Sequence, residues 1–315
     1  MITRVELADP LDLLDDAASV LQEAWSPPCP VYDAPYLGWQ LTFPSRLPRV
    51  AAVARDASAV VGFAGAAPRS VQIGEWTGDV VIVSFVSVRP AFRGQGVADR
   101  LYDALLGELR ARGTPVVTFA EPGSVGERAL MSAYARAGFV RHELGTCNPF
   151  GCVAQPAPSR ARVVPAVGLR PFARLSEAGV RLSTDADQLR HFAADPRWRC
   201  AVTIENGSTS AGLLAVAAPV RTTKGQDVVL TIDLAFAPFD AADALRDGAD
   251  AAAASYRAKP GSMVVFHNAP IRDTERARRA GLRRLPARFA AHLCLPPGLD
   301  ILAEANPRGT NLDVV

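Results

Sequence analysis

The stretch from residue 80 to residue 101 constrains the fold of this chain more than any other. Val80–Val88 is almost entirely β-branched or apolar, which is typical of a strand buried on both faces. Pro90 ends it, because proline cannot donate to a strand ladder. Apolar residues then recur at every fourth position from Val97 to Leu109, which predicts a helix, and Gly113 follows where a helix-ending glycine belongs. The stretch therefore predicts a strand, a loop with two glycines and a helix. A polar connection, Gln72–Asp79, precedes it, and the apolar run Val116–Ala120 after it predicts a second strand parallel to the first, which makes a strand–helix–strand unit.

The loop between this strand and this helix suits the binding of an anion. Backbone amides at the start of a helix lack intrahelical partners, and the helix dipole places partial positive charge there. A pyrophosphate can lie against them where no side chain blocks its approach. Gly94 and Gly96 remove two Cβ atoms, Ala98 keeps the next turn small, and Arg93 adds a charged donor that suits phosphate. A tight turn without a ligand is the alternative.

Two common phosphate-binding loops do not fit this stretch. A P-loop requires Gly-Lys-Ser/Thr, which is absent here, and the whole chain contains only the lysines Lys224 and Lys259. A dinucleotide-binding loop places its glycines directly after the strand and has a third glycine where this chain has Asp99. If this loop binds an anion, it is therefore a loop of a different kind.

The segment Arg93-x-x-Gly96-x-Ala98 follows a strand and opens a helix. It resembles the acyl-CoA loop of the GNAT N-acetyltransferase superfamily, written Gln/Arg-x-x-Gly-x-Gly/Ala. The motif is short, so a second match at the right distance is needed to support it.

That second match is Tyr134-x-x-x-Gly138-Phe139, at the end of a helical pattern. It resembles the helix and glycine corner that follow the loop in the same superfamily, and the resemblance covers residues 50–146. It implies an α/β (α+β) fold with a mixed, mostly antiparallel central sheet flanked by helices.

The resemblance also implies the chemistry: direct transfer of an acyl group from acetyl-CoA or another acyl-CoA to an amine, without a metal. Tyr134 would act as the general acid that protonates the departing thiolate, a structural tyrosine being the alternative. A backbone amide of the central strand would face the developing oxyanion. The residues predicted to bind the cofactor are Val86, Ser87, Val88, Arg93, Gly94, Gln95, Gly96, Val97 and Ala98.

The general base is left open by the sequence. Many members of the superfamily use a carboxylate near the central strand, but Val80–Val88 contains none. Asp33, Glu121 and Asp233 are candidates by position, and a chain of water molecules is an equal alternative. Asp233 interrupts an apolar strand, where a buried carboxylate requires a partner, so a structural hydrogen bond is a second interpretation. Gly126-Glu127 departs from the superfamily pattern, which has an asparagine near this point.

An aromatic helical segment, Tyr32–Leu41, precedes the first pair of predicted strands. In the superfamily the corresponding segment covers the acceptor pocket. We therefore predict that Tyr32, Tyr36 and Trp39 contact the acceptor, with core packing as the alternative interpretation.

The second half of the chain repeats the first faintly, at an offset of about 149 residues, which is typical of a tandem of related domains. The apolar runs Arg199–Glu205, Ala211–Ala217 and Val228–Phe236 match the strands of the first half. Ala280-Gly281-Leu282 matches the glycine corner, and Arg288–Leu295 would be the final strand of the repeat. A turn, Asn148–Gly151, and a stretch rich in proline and arginine lie between the halves, so we predict a first domain over residues 1–155 and a second over residues 156–315.

The repeat fails at the anion-binding loop. The matching segment, 239–244, has no glycine or arginine, and its carboxylates Asp240 and Asp243 would repel a pyrophosphate. Ala277 stands where the first half has Tyr134. We therefore predict an active first domain and a degenerate GNAT-like second domain that serves stability or the acceptor pocket.

The length of 315 residues is sufficient for two such domains. A net charge of +2 without a basic run argues against nucleic acid as a partner, and no apolar stretch approaches the roughly 20 residues of a membrane span. The five cysteines have no zinc-site spacing and the N-terminus has no signal-peptide core, so we expect reduced thiols and a cytoplasmic monomer or homodimer.

Together these features predict an N-acyltransferase, most simply an N-acetyltransferase, acting on a small-molecule amine. The neutral charge balance and the aromatic segment favour a small molecule as the acceptor. The alternatives are an enzyme that uses a longer acyl chain or a hydroxyl acceptor, and a non-catalytic acyl-CoA-binding or regulatory module.

Overall fold

The architecture was analysed in a computed structural model of the chain. The residues that the structure describes are 4–73, 76–147, 149–155, 161–166, 180–182, 186–206, 209–236, 241–259, 261–267, 274–301 and 312–313.

Helices and strands alternate along the chain, and strands dominate. In chain order they are β1 Arg4–Ala8, α1 Leu14–Ala24, β2 Cys29–Pro30, α2 Ala34–Leu41, β3 Ala51–Asp56, β4 Ala59–Ile73, β5 Trp76–Val88, α3 Val97–Ala111, β6 Val116–Ala120, α4 Val125–Arg136, β7 Val140–Cys147, β8 Phe150–Val153, β9 Arg162–Val164, β10 Val180–Leu182, α5 Ala186–Ala193, β11 Arg199–Asn206, β12 Thr209–Thr222, β13 Gly225–Phe236, α6 Ala242–Tyr256, β14 Met263–Phe266, α7 Thr274–Arg279, β15 Arg283–Arg284, β16 Phe289–Leu295 and β17 Leu312–Asp313.

The chain forms two compact units, and neither is a single continuous segment. The first unit contains Met1–Leu144 and Ala290–Pro307, and the second contains Gly145–Phe289 and Arg308–Val315. A single boundary between residues 155 and 156 therefore does not separate them. The sequence places the final strand of the repeat in the second half, whereas β16 belongs to the first unit.

The first unit is built on a sheet with the strand order β1–β3–β4–β5–β6–β16–β7. Neighbours from β1 to β5 pair antiparallel, β5 and β6 pair parallel, and β6 and β16 pair antiparallel. The parallel pair joined by α3 confirms the strand–helix–strand unit that the sequence predicts. The sheet is mixed and mostly antiparallel, as the sequence resemblance implies.

The sheet of the second unit repeats this order as β9–β11–β12–β13–β14–β8–β15, again with one parallel pair, β13 and β14. The glycine corners match as well, since Gly138 and Gly281 have φ angles of 79° and 80°. The internal repeat is therefore present in the topology. The sixth position is the exception, because β16 fills it in the first sheet and β8, which follows β7 in the chain, fills it in the second.

Two local predictions are wrong. Residues 72–79 are predicted as a polar connection, but β4 continues to Ile73 and β5 begins at Trp76. Apolar residues of this hairpin are buried while their polar neighbours are exposed or half-buried, so polar residues fit within the ladder. Residues 148–151 are predicted as a turn, but Phe150 begins β8 and is buried.

Helices cover both faces of the first sheet. The leucines of α3 that the sequence spacing predicts to share one face, Leu101, Leu105 and Leu109, are buried in a core that also includes α4. A second core joins α1 and α2 to the opposite face through residues such as Leu21, Leu37 and Phe63. The sheet is therefore held rigidly between two helical layers, which fixes the position of β5.

Within the described ranges, no helix is both long enough and apolar enough to cross a membrane. The same part of the chain contains no group of three or more histidine, cysteine or acidic side chains arranged to hold a metal ion. Cys29, Cys152, Cys200 and Cys294 are buried, and none of them forms a disulfide with a described residue.

Candidate active site

The central strand β5 carries a bulge at the point where the sequence predicts the thioester to bind. Between Ser84 and Ser87, the two residues Phe85 and Val86 stand opposite a single residue of β4. Phe85 has a φ of 62°, a left-handed conformation that is uncommon for a bulky residue. Backbone outliers of this kind concentrate at functional sites, because the surrounding structure must hold them.

The described pairing of β5 with its parallel neighbour β6 ends before the bulge. The described pairs between β5 and β6 are Val81 with Val116 and Ile82 with Val117. β5 continues to Val88 on its β4 side, whereas no further described pair joins it to β6. The backbone of residues 83–88 therefore has an edge at which a ligand amide can form strand-like hydrogen bonds.

A cavity of about 480 Å³ lies beside the end of this strand. It is lined by Ala24, Trp25, Ser26, Val86, Ser87, Val88, Arg93 and Ala98. Five of the residues predicted to bind the cofactor are in this lining, so the bulged strand and the predicted loop meet at one place.

The end of α1 supplies the part of the lining that the sequence analysis missed. The indole Nε1 of Trp25 donates a hydrogen bond to Ser87 Oγ at 2.8 Å, and the residue as a whole is 42% exposed. A large aromatic residue that ends a helix directly before a Ser-Pro-Pro break is the signal that could have identified this wall.

The loop itself is open to solvent. Gly94 and Gly96 have φ angles of 73° and 70°, and a Cβ built on either would meet no atom within 4 Å. The glycines therefore serve the left-handed backbone and leave space above the loop, and Gly96 is the N-cap of α3. Val97 differs, because its side chain is buried in the core and only its backbone faces the loop.

Arg93 binds backbone carbonyls as well as lining the cavity. Its Nε donates to the Val88 oxygen at 3.2 Å, and its Nη2 donates to the Ala24 oxygen. Gln95 likewise donates to the Ala91 oxygen at 3.1 Å. The sequence predicts Arg93 only as a donor to phosphate. In the structure its guanidinium also holds the loop to β5 and α1 through these hydrogen bonds, while it brings positive charge to the cavity wall.

Tyr134 is fully buried on α4, with 1% of its surface exposed, and it does not line the cavity. Its ring packs edge-on against Phe139 at 5.8 Å between centroids. Its hydroxyl is buried and forms no hydrogen bond of normal geometry with a described residue. Burial and the nearby Cys294 raise its pKa well above 10, while the neighbouring Thr118 hydroxyl lowers it. The phenol therefore keeps its proton at neutral pH and has an unused donor.

Two of the three candidate bases form structural hydrogen bonds, and the third is exposed to solvent. Asp33 is the N-cap of α2 and accepts a hydrogen bond from the Tyr36 amide at 2.9 Å. Glu121 is exposed in the loop after β6. None of the three is among the residues that line the cavity.

Asp233 is placed in the second unit, on β13. It forms an ion pair of 2.9 Å with Arg197 and accepts from Thr231 Oγ1 at 2.7 Å. The same guanidinium binds the buried Asp195 at 2.5 Å. This network supports the structural interpretation of Asp233.

The predicted acceptor residues form a continuous aromatic cluster. Tyr32 stacks on Tyr36 at 6.0 Å between centroids, and Tyr36 contacts Trp39 at 5.8 Å. The cluster reaches the cavity wall through Trp25, 6.1 Å from Tyr32, and reaches the bulge through Phe85, 5.4 Å from Tyr32. Trp39 is buried, whereas Tyr32 and Tyr36 are half-buried.

In the second unit, only part of the matching loop can be compared. Asp240 lies outside the described residues, Asp243 is exposed in the first turn of α6, and Ala277 is buried.

Comparison with known proteins gives a family match and several similar structures. A family model described as "Acetyltransferase (GNAT) family" matches residues 13–139. A search of curated proteins by sequence gave no significant match.

The structural matches span nearly the whole chain. N-myristoyltransferase of Saccharomyces cerevisiae with bound myristoyl-CoA is 12% identical with a TM-score of 0.68, covering 94% of this chain and 80% of that protein. A GCN5-related N-acetyltransferase from Anabaena variabilis is 13% identical with a TM-score of 0.55, covering 97% and 76%. Eis1 from Mycobacterium abscessus is 15% identical with a TM-score of 0.51, covering 98% and 76%. Identities this low show a shared fold.

Proposed function

From the match of residues 13–139 to the acetyltransferase (GNAT) family model, we propose that this chain is an acyl-CoA-dependent acyltransferase that transfers its acyl group directly to an amine. The observation that carries the proposal is the cavity at the end of β5. Its lining joins the bulged strand to the loop at the start of α3, which is the combination that an acyl thioester with a pyrophosphate requires.

The residues present fit an acyl-CoA. The edge of β5 from Val86 to Val88 would pair with the pantetheine arm, and the amides from Gly94 to Ala98 would hold the pyrophosphate at the positive end of α3. Tyr134 lies outside the described lining of the cavity, and we propose its buried hydroxyl, which has no hydrogen-bond partner of normal geometry among the described residues, as the proton donor for the thioester sulfur. When bound, acyl-CoA supplies a carbonyl activated by a thiolate leaving group.

Groups of the chain itself then stabilise the charge that develops in the reaction and transfer its protons. We propose that a backbone amide of the bulge at Phe85 and Val86 donates to the oxygen that becomes negative as the carbon–nitrogen bond forms. As the carbon–sulfur bond breaks, Tyr134 gives its proton to the thiolate. No carboxylate is among the described residues that line the cavity, so we propose that the amine proton leaves through water.

The second unit is proposed to be inactive. Ala277, at the position that matches Tyr134, is buried and has no proton to give. The first turn of α6 carries Asp243 where the first unit has its glycine loop, and a carboxylate there opposes an anion.

Acetyl-CoA and a small-molecule amine are proposed as the substrates. The family description supports acetyl as the acyl group, and the aromatic rings of Trp25 and Tyr32, which contact each other at the cavity wall, favour a small molecule as the acceptor. A longer acyl chain is the second candidate, because the structural match of highest TM-score among those described above was determined with myristoyl-CoA.

The proposal is tested first by binding. A thermal-shift series with acyl-CoA esters of increasing chain length, and CoA as the reference, should stabilise the wild-type protein by about 2.7 kcal/mol at one hundred times the dissociation constant. Ala98→Glu places a carboxylate in the cavity lining and should abolish the shift. Gly107→Glu adds the same charge at an exposed position of α3 and should retain it.

Turnover is then measured as release of the free CoA thiol across a panel of amines, hydroxyl compounds and peptides. A shift with turnover supports the enzyme and identifies the acceptor class. A shift without turnover on any acceptor favours a binding module. The proposal is wrong if no ester stabilises the folded wild-type protein.

A further inference from the structure

A line of buried polar groups lies between α4 and the first sheet, and the acyl transfer described above uses only its first member. Tyr134 and Glu127 are seven residues apart on α4, which places them on one face about 10 Å apart. Thr118 on β6 and His292 on β16 stand directly opposite each other in the sheet beneath this face. Both residues are buried.

His292 is the unexplained group in this line. It is 3% exposed, and neither of its ring nitrogens forms a hydrogen bond with a described residue. Its Nε2 lies 3.7 Å from Glu127 Oε1. Burial and Arg141 lower its pKa, while Glu143 and Glu127 raise it, and the net direction is downward. The imidazole is therefore neutral near pH 7, with one nitrogen able to donate a proton and the other able to accept one.

Glu127 connects this buried histidine to solvent. Its backbone amide donates to the N-cap hydroxyl Ser124 Oγ at 3.0 Å, and its Oε2 accepts from the Gly123 amide at 2.6 Å, a variant of the capping box in which the carboxylate binds the residue before the N-cap. The box fixes the carboxylate and leaves Oε1 facing His292. The side chain remains 18% exposed, so water can reach it.

The other end of the line reaches the phenol. Tyr134 packs in one core with Val116 and Ala120, which flank Thr118 on the same face of β6, and residues opposite each other in antiparallel strands have Cβ atoms about 5 Å apart. Polar side chains thus follow one another from Tyr134 through Thr118 and His292 to Glu127. Catalytic hydrogen bonds are often long in a protein without its substrate and shorten when the substrate binds.

After each reaction Tyr134 needs a route by which a proton can return to its hydroxyl. Once it has protonated the departing thiolate it is a phenolate, and at 1% exposure it has no direct contact with bulk water. A buried phenolate is also strongly disfavoured by the loss of hydration.

We propose that Thr118, His292 and Glu127 form a proton path that returns a proton from solvent to Tyr134 after each acyl transfer. The Thr118 hydroxyl gives its proton to the phenolate and takes one from the imidazole. The imidazole is reprotonated at its other nitrogen by way of Glu127, so one proton enters from water and one reaches the phenol. These are positioning residues that act through Tyr134, and the inference rests on the proposed function.

The experiment compares the first turnover with later turnovers, because Tyr134 starts protonated and needs the path only afterwards. The full-length variants His292→Gln and Thr118→Val should release the first CoA at the wild-type rate. Later turnovers should be slower by at least about tenfold, with the KM for acyl-CoA unchanged. His267→Gln, at an exposed histidine, is the matched control and should behave as wild type.

A structural role would give a different result. Loss of packing would slow the first and later turnovers together, and that outcome would overturn the inference, as would unchanged kinetics in both variants. Thr118→Val is close to isosteric, so the same test can be made with this variant if His292→Gln is unstable. In a Tyr134→Phe background, His292→Gln should have no further effect on the steady-state rate.

Failure of the proposed function is distinguished on the wild-type protein. If the wild type binds acyl-CoA and turns over, the variants alone decide the proton path. If the wild type binds no ester, the acyltransferase proposal and the proton path both fall.

Discussion

At the scale of single residues, Tyr134 combines complete burial with an unpaired hydroxyl. We expect Tyr134→Phe to lower kcat by about 10²- to 10⁴-fold, the usual range for a lost general acid, with little change in the affinity for acyl-CoA. The melting temperature should stay the same or rise, because the variant removes an unsatisfied polar group from the core. Steady-state kinetics and thermal melts measure both effects. An unchanged kcat would contradict the assignment.

His292 makes the stability of the protein sensitive to acid. Its pKa in the folded protein is lowered from 6.5 by burial and by Arg141, against the carboxylates of Glu127 and Glu143. The unfolded chain takes up a proton below about pH 6.5, whereas the folded chain resists it, so the free energy of unfolding falls as the pH drops below that value. Urea denaturation at pH 7.5 and at pH 5 should show this loss. His292→Gln should reduce it, and an equal loss in the variant would contradict the prediction.

At the scale of elements, α2 tests whether Asp33 is a base or a cap. Asparagine caps a helix as well as aspartate, whereas alanine costs about 1 kcal/mol. Because Asp33 accepts from the Tyr36 amide, we expect Asp33→Asn to retain stability and activity and Asp33→Ala to lose about 1 kcal/mol of stability. Urea denaturation and kcat measure the two effects. A large loss of kcat in Asp33→Asn with stability intact would restore the role of Asp33 as the base.

The helices and strands also show which structural features can be predicted from neighbouring residues alone. The β5–loop–α3 unit follows from neighbouring residues, because Pro90, the two loop glycines and the leucine spacing each act within one or two turns of chain. The bulge at Phe85 depends on the register with β4, which no local pattern encodes. The role of Trp25 in the cavity wall was missed for the same reason, since its partner Ser87 is distant in sequence.

At the scale of the whole molecule, the sequence analysis did not predict that β16, near the end of the chain, belongs to the first unit. The repeat pattern predicts that residues 288–295 form a strand, and β16 confirms it. The sequence of an apolar strand does not indicate which sheet the strand joins. The assignment of residues 288–295 to the second domain therefore rested only on their position in the chain. Ala291, Leu293 and Cys294 are fully buried in β16, and the neighbouring strand β6 pairs with it over five residue pairs.

Because β16 is part of the first sheet, a fragment that contains only the first half of the chain is incomplete. A fragment of residues 1–155 lacks β16, so β6 would lose its antiparallel partner and the core of the first unit would lose these buried side chains. Deleting a single large buried side chain costs about 2 to 5 kcal/mol, and whole domains are stable by only about 5 to 15 kcal/mol. We therefore expect the fragment to lack a cooperative thermal transition.

The full-length chain with Leu293→Ala is the graded control and should melt cooperatively at a lower temperature than wild type, since one side chain is truncated and the strand remains. Circular dichroism melts of the fragment, the variant and the wild type make the comparison. If the fragment melts cooperatively at the wild-type temperature, β16 is dispensable for the first unit. In that case His292, which β16 carries, would be dispensable for its fold as well, and its effect on turnover could be measured by supplying or omitting that strand.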